Sequence, residues 1–451
     1  MSEDKVYTGI VTTEQGPIVF HGEDKNFVFR LMDTVQITRE GQNYRMIRVP
    51  TDDSFVFGKT HDNHAIAIYC GNNTIDIIGT HKIATSSFIL SNGILESAGL
   101  REFDGIAFIG KSLNKVFDIK GMSFEFDEKG ERIVHNNDCL SYEIFTEEYN
   151  FKLTIQSRVT YHGSFEGMSV DNKDVILTLK FDTLQPLSSL FYHYNCISNL
   201  LSFLLNRYEV SFDKVFLLKY NEEIKMRSEF AQVFIRDDSN ITARNKFQIL
   251  SFNDLGVSIP ELIKLIYNNK EGKPTYSLGF YPENDDKLYY MTNDRIKSIC
   301  SGLECELSFA TDIETENDPN LIELLTQTKS LIKTYRKDNP DVISKNTYSM
   351  IFSSLDHWSN SLAERIWSLY CKFYPEMSIL NRFHSLHIQK IHIQQFVKYR
   401  NDITHGNHRV LNPEISTTAH TLSGLVYCSL LNRIGLDREA IRKLCGEKLL
   451  T

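Results

Sequence analysis

The stretch of this chain best equipped for chemistry is "YRNDITHGN", Tyr399 to Asn407, where Arg400 and His405 stand five residues apart with Asn401, Asp402 and Thr404 between them. Arginine brings a fixed, forked cation that suits a phosphate gaining negative charge. Histidine titrates near neutral pH and serves as general base or general acid. Together they suit cleavage of RNA without a metal, because the ribose 2′-hydroxyl is an internal nucleophile needing only positioning, proton transfer and charge neutralisation. Asn401 can hold a ribose or phosphate through its amide, and Asp402, Thr404 and His408 are close enough in sequence to contact the same substrate. On a helix, a five-residue offset separates two side chains by about 140° and about 7.5 Å along the axis, a gap that a long arginine can span. Gly406 suits the left-handed residue that ends a helix, which places His405 in the last turn, where the negative end of the helix dipole favours a cation. The structural alternative fits the same residues equally well: Arg400 pairing with Asp402 or a neighbouring helix, and His405 acting as a cap.

Spacing alone does not separate these readings. With 20 arginines and 14 histidines in 451 residues, chance supplies about 0.6 matches to R-x4-H. A second copy does occur, Arg382 and His387 in "RFHSLH", where the arginine is followed by an apolar Phe383 that suits packing. Two other signals lead nowhere. "GIAFIGKS", Gly105 to Ser112, satisfies the phosphate-loop pattern, but its central Ile106, Ala107, Phe108 and Ile109 favour a strand and no convincing helix follows. Half of the histidines (His357, His384, His387, His392, His405, His408 and His420) fall in the last quarter, without the converging acids or cysteines of a metal site.

The elements that must position Arg400 and His405 follow from periodicity. "PIVFHG", "NFVFRLM", "HAIAIYCG", "TIDIIGT", "NFKLTIQSRVTYHG" and "DVILTLKFD" are short, β-branched or aromatic runs punctuated by Gly, Asn and Asp, and predict an antiparallel sandwich or barrel-like sheet over residues 1–185. Residues 186–290 read as a mixed junction: a helix in "SSLFYHYNCISNLLSFLLNRYEV", a strand "DKVFLLKY" and a helix around "IPELIKLIYNN". Residues 291–451 read as an all-α bundle of five or six helices, the first capped by Asn293. The fold class is therefore α+β and multidomain. Eight cysteines without a Cys-x-x-Cys pair suggest buried thiols in a reducing cytosol. "MSEDKVYTG" has no apolar core of a signal peptide, and no apolar run is long enough to span a bilayer, so a cytoplasmic protein is expected. The net charge of −9 argues against indiscriminate coating of nucleic acid, although residues 342–451 carry 13 Lys+Arg against 8 Asp+Glu.

A helical C-terminal part with "RNDITHG" just before its last long helix resembles a HEPN domain, whose signature is R-x4–6-H with a polar residue directly after the arginine. Arg400, Asn401 and His405 match it position by position. "CSGLECELSFA" looks like the first helix of that domain and "LSGLVYCSLLNRIGL" like its last. A β-rich half feeding such a bundle through "NCISNLLSFLLNRYEV" is similar to the ApeA-like proteins of bacterial anti-phage defence. The resemblance implies a metal-independent endoribonuclease without cofactors, leaving 2′,3′-cyclic phosphate ends and working as a homodimer with two motifs facing one cleft. It also implies host RNA, tRNA included, as target, growth arrest as outcome, and an N-terminal half that senses a phage-derived trigger or restrains the nuclease. Three rivals remain at this point: a bundle that binds RNA or protein without cutting, a phage-component receptor with a dimerising stalk, and a bundle modified in trans at Tyr399.

Overall fold

The computed structural model describes residues 5–13, 16–23, 27–32, 47–49, 55–70, 75–77, 80–117, 123–126, 132–135, 139–164, 167–223, 225–236, 249–284, 287–288, 290–311, 319–340, 342–359, 361–383, 387–407 and 410–448. Two compact units divide the chain. One comprises residues 1–205, 209–242 and 251–253, and the other residues 206–208, 243–250 and 254–451.

The first unit is built on a 13-stranded sheet in which neighbouring strands pair antiparallel. Its edges are Cys139–Phe145 and Thr80–Ala84, and Glu102–Ile109 lies inside it between Gly167–Pro186 and Lys214–Asn221. Most of the apolar-rich runs read from the sequence become these strands because alternate side chains reach a common interior, while "TIDIIGT" supplies Ile75–Ile77 to a separate two-stranded sheet with Ile47–Val49. Val11, Ile18, Phe20, Phe29, Leu31, Val56, Ile66, Ile68 and Phe88 form one such buried cluster. The phosphate-loop match lies on this sheet: Gly105 to Ile109 are paired on both sides, to residues 176–180 and 214–218, so their amides are committed to ladders and cannot cradle an anion. Against the expectation of no helix, a six-residue helix, α1 (Lys111–Val116), follows. Gly110 is required there by close approach, since a Cβ would lie 2.8 Å from the Asp213 nitrogen. The long helix α2 (Leu190–Leu205) buries Leu190, Ile197, Leu200, Leu201 and Leu204 and ends at Asn206, as its spacing predicts. A short α3 (Phe252–Leu255) follows.

In the second unit, α4 (Ile259–Tyr267) precedes seven helices: α5 (Asn293–Phe309), α6 (Pro319–Asp338), α7 (Lys345–Ser359), α8 (Leu362–Phe383), α9 (Lys390–Thr404), α10 (Pro413–Arg433) and α11 (Arg438–Glu447). Among the described residues, that is one more than the bundle expected from periodicity. Apolar periodicity runs on from Thr347 to Tyr374 in "TYSMIFSSLDHWSNSLAERIWSLYCKFY" and predicts one helix there, but the helix is broken between α7 and α8, where the Ser361 hydroxyl accepts the Glu364 amide at 3.3 Å and starts a new helix. A second correction concerns the start of α5. Thr292, not Asn293, is its N-cap, accepting the Arg295 amide. Helices α5, α8, α9 and α10 pack on one another around Ile299, Leu303, Ile366, Leu369, Phe373, Ile393, Phe396, Leu422 and Leu425, all fully or almost fully buried. Helix α11 closes on α8 and α10, and α6 and α7 pair with each other.

Candidate functional site

Helix α9 presents its buried residues Ile393, Phe396, Tyr399 and Ile403 as one stripe at helical spacing. Arg400 is one turn beyond Phe396 and falls on the edge of that stripe, so its stem leaves the helix toward α5 rather than into open solvent. There its Nη2 donates to both oxygens of Glu304, at 3.1 and 3.3 Å, while Nη1 donates to Asn401 Oδ1 at 3.2 Å. The Arg400 side chain keeps 24% of its accessible surface and that of Glu304 keeps 42%. The arginine is thus oriented yet reachable, and the pair is screened by water. Of the two structural partners weighed from sequence, the neighbouring helix takes Arg400 and Asp402 does not. Cys300 sits behind the pair, buried, and burial pushes its thiol up to about 12, so no thiolate nucleophile is available at this place.

The end of α9 is built as its sequence predicts. Gly406 adopts φ +80°, the Gly406 amide donates to Ile403 O, and the Asn407 amide reaches back to Asp402 O at 3.0 Å. This double closure satisfies the last carbonyls and makes His405 the C-cap. His405, Asn401 and Thr404 are exposed, and Asp402 is half-buried. The Thr404 hydroxyl donates to the Arg400 carbonyl at 2.7 Å, so its proton is used within the helix. His408 lies outside the described residues. The structure therefore brings together Arg400, Asn401, Thr404 and Glu304. It leaves His405 about 140° around the helix from Arg400, and no contact joins the two among the described residues.

Asn293, displaced from the cap of α5, makes a tertiary contact instead. Its Oδ1 accepts the Tyr399 hydroxyl at 2.9 Å, tying the first turn of α5 to α9. Tyr399 is only 3% exposed, and its hydroxyl is engaged by Asn293. Glu304 is the participant hardest to single out in the sequence. It stands among acids and cysteines in "GLECELS", and nothing local marks it as the one that meets Arg400. Of the histidines, His392 completes a capping box at the start of α9, its Nδ1 3.0 Å from the Gln389 amide. Among the described residues, no three His, Cys, Asp or Glu side chains are grouped to hold a metal ion.

The N-terminal half carries the resemblance to known proteins. Residues 39–265, half of the chain, match the family model described as ApeA N-terminal domain 1. The chain belongs to this family. No curated protein and no solved structure matches it. ApeA membership suggests a part in anti-phage defence. The matched region holds the strands of the 13-stranded sheet other than Val6–Thr13, Gly16–Glu23 and Val28–Met32, together with α2, whereas Arg400 and His405 lie outside it, so the family and the candidate site rest on different parts of this ApeA-family chain. No described helix is long and apolar enough to cross a membrane.

Proposed function

We propose that the helical bundle of this ApeA-family chain is a metal-independent endoribonuclease of the HEPN type, acting in anti-phage defence in the cytoplasm. The observation that carries the reading is the end of α9: an oriented, accessible Arg400 with Asn401 beside it, one and a half turns before an exposed His405 on a rigid helix end. In the proposed reaction, His405 takes the proton of a ribose 2′-hydroxyl, and the 2′-oxygen attacks the adjacent phosphorus. The bond to the 5′-oxygen breaks, leaving a 2′,3′-cyclic phosphate and a 5′-hydroxyl once a proton reaches the leaving oxygen. Arg400 neutralises the phosphate as charge accumulates, and Asn401 holds the ribose or phosphate. Asp402 and Thr404 contact the substrate, and His408 is assigned the same role from its place in the sequence. The 140° separation of Arg400 and His405 is relieved when two bundles face each other, since each can then complete a site with the other's residues. A homodimer is part of the proposal, with RNA (tRNA included) as substrate. The β-rich half restrains the nuclease until a phage-derived trigger arrives.

The test is cleavage of total bacterial RNA in EDTA by the full chain, beside Arg400→Ala and His405→Ala, with product 3′ ends mapped. Cyclic phosphates that disappear in both variants support the reading; equal cleavage by all three overturns it. A second reading has its own support: Leu324, Leu331 and Tyr335 of α6 and Met350 of α7 are large, apolar and 49–71% exposed, as expected of a bundle that only binds or dimerises. On that reading, neither substitution changes toxicity on overexpression.

A further inference from the structure

Helix α6 has a second face, unlike its apolar one. At 100° per residue, Lys329, Lys333, Arg336 and Lys337 fall within an arc of about 100°, with Lys329, Lys333 and Lys337 about one turn apart and Arg336 beside Lys337. The two acids of the helix, Glu323 and Asp338, fall outside that arc. Arg336 lies 3.9 Å over the Tyr348 ring of α7, and Lys333 lies 5.8 Å over the Phe352 ring. These contacts place the charged heads themselves over the rings of α7, which fixes their position along the hairpin. Lys333 and Lys337 are exposed, and no carboxylate pairs with either among the described residues. In a chain of net charge −9, a row of four cations without an acid between them does not follow from bulk composition.

We propose that this face of the α6–α7 hairpin is a docking surface for the sugar-phosphate backbone of RNA. A row of lysines one helical turn apart, reinforced by Arg336, is complementary to a regularly spaced polyanion and needs no base-specific partner. An anionic membrane fits less well. A helix lying in a bilayer surface inserts its apolar face, and here the exposed apolar stripe of Leu324, Leu331 and Tyr335 is about half a turn away from the cations. Seating that stripe in lipid would turn the lysines away from the headgroups. The surface is separate from Arg400 and His405, and it rests on the nuclease reading only for the identity of the polyanion.

The experiment is binding of a labelled single-stranded RNA with 2′-O-methyl riboses, which cannot be cleaved, to the full chain over a salt series. Lys333→Gln/Lys337→Gln is compared with Arg442→Gln/Lys443→Gln, an equal charge loss at exposed positions of α11. The expected result is about tenfold weaker binding in the first variant, with the salt slope reduced by about 1.4 for two lost phosphate contacts on a single strand, and little change in the second. Equal losses in the two variants, no loss in either, or no RNA binding by the wild type would overturn the inference. So would a loss seen only with phosphatidylglycerol vesicles. The two proposals fail separately. Normal binding by the lysine variant, with cleavage lost in His405→Ala, removes the docking surface and keeps the nuclease. The reverse pattern keeps the docking surface and removes the nuclease.

Discussion

Two arginine–glutamate pairs tie α5 to its neighbours, and they start only two residues apart. Glu304 meets Arg400 of α9 at the surface, where both groups keep contact with water. Glu306 faces the interior, 2% exposed, and takes Arg433 of α10 at 2.7 Å and the Ser429 hydroxyl at 3.0 Å. Arg433 also donates to Thr275 O and lies 4.2 Å over the Phe309 ring. An offset of two residues turns about 200° around a helix, so one helix sends one carboxylate to the solvent and the other to the core. The same two side-chain types thereby do different work. The inner pair is a structural joint whose members cannot lose each other cheaply. The outer pair contributes little to stability and can be opened, which is what a guanidinium needs if it is to meet a phosphate.

The sharpest way to break this contrast is to remove each arginine in turn. Arg433→Ala leaves Glu306 buried without its cation and is expected to cost about 3–5 kcal/mol in urea unfolding, against at most about 1 kcal/mol for Arg400→Ala. Similar losses in the two variants would erase the distinction. Gly406→Ala comes next. Nothing lies within 4 Å of the added Cβ, so the cost is that of a non-glycine residue at φ +80°, about 1–2 kcal/mol by thermal unfolding, with a loosened His405.

Titration sharpens the contrast further. Burial lifts the Glu306 carboxyl above its ordinary 4.5, with the Arg433 guanidinium and the Ser429 hydroxyl pulling it partly back. The folded state then binds the proton more tightly than the unfolded state. The contribution of this group to stability is therefore full below about pH 4.5 and is lost as pH rises through the raised folded value. Melting temperatures of the wild type and Glu306→Gln, compared upward from that pH, should show the wild type losing ground. A constant difference would refute the assignment. Glu304→Gln is the smallest change expected: stability within about 0.5 kcal/mol of wild type, and RNA binding equal or tighter because a competitor for Arg400 has lost its charge. A large destabilisation would mean that the outer pair is a joint as well.

Local chemistry was legible wherever a few neighbouring residues determine the outcome. Gly406 ends α9 because only glycine enters the left-handed region without strain, and the run Ile106–Ile109 becomes a strand despite a motif that suggests a phosphate loop. Boundaries were less legible. Thr292 displaces Asn293 as the cap of α5, and a serine at 361 divides what periodicity reads as one helix. The first depends on which of two adequate capping residues the chain selects, a difference of about 1 kcal/mol or less that packing readily decides.

From its sequence alone, this protein is an antiparallel β half joined to an α-helical half, with Arg400, Asn401 and His405 near the end of one helix and a glycine to stop it. Those features rest on short-range steric preference and apolar periodicity, which the chain carries from residue to residue. Tertiary structure alone assigned the partners. Glu304 rather than Asp402 takes Arg400, Glu306 enters the core with Arg433, and Tyr399 is buried against Asn293. Each contact joins residues about 100 or more positions apart, and the face of α5 that turns toward α9 or α10 is determined only when the helices pack.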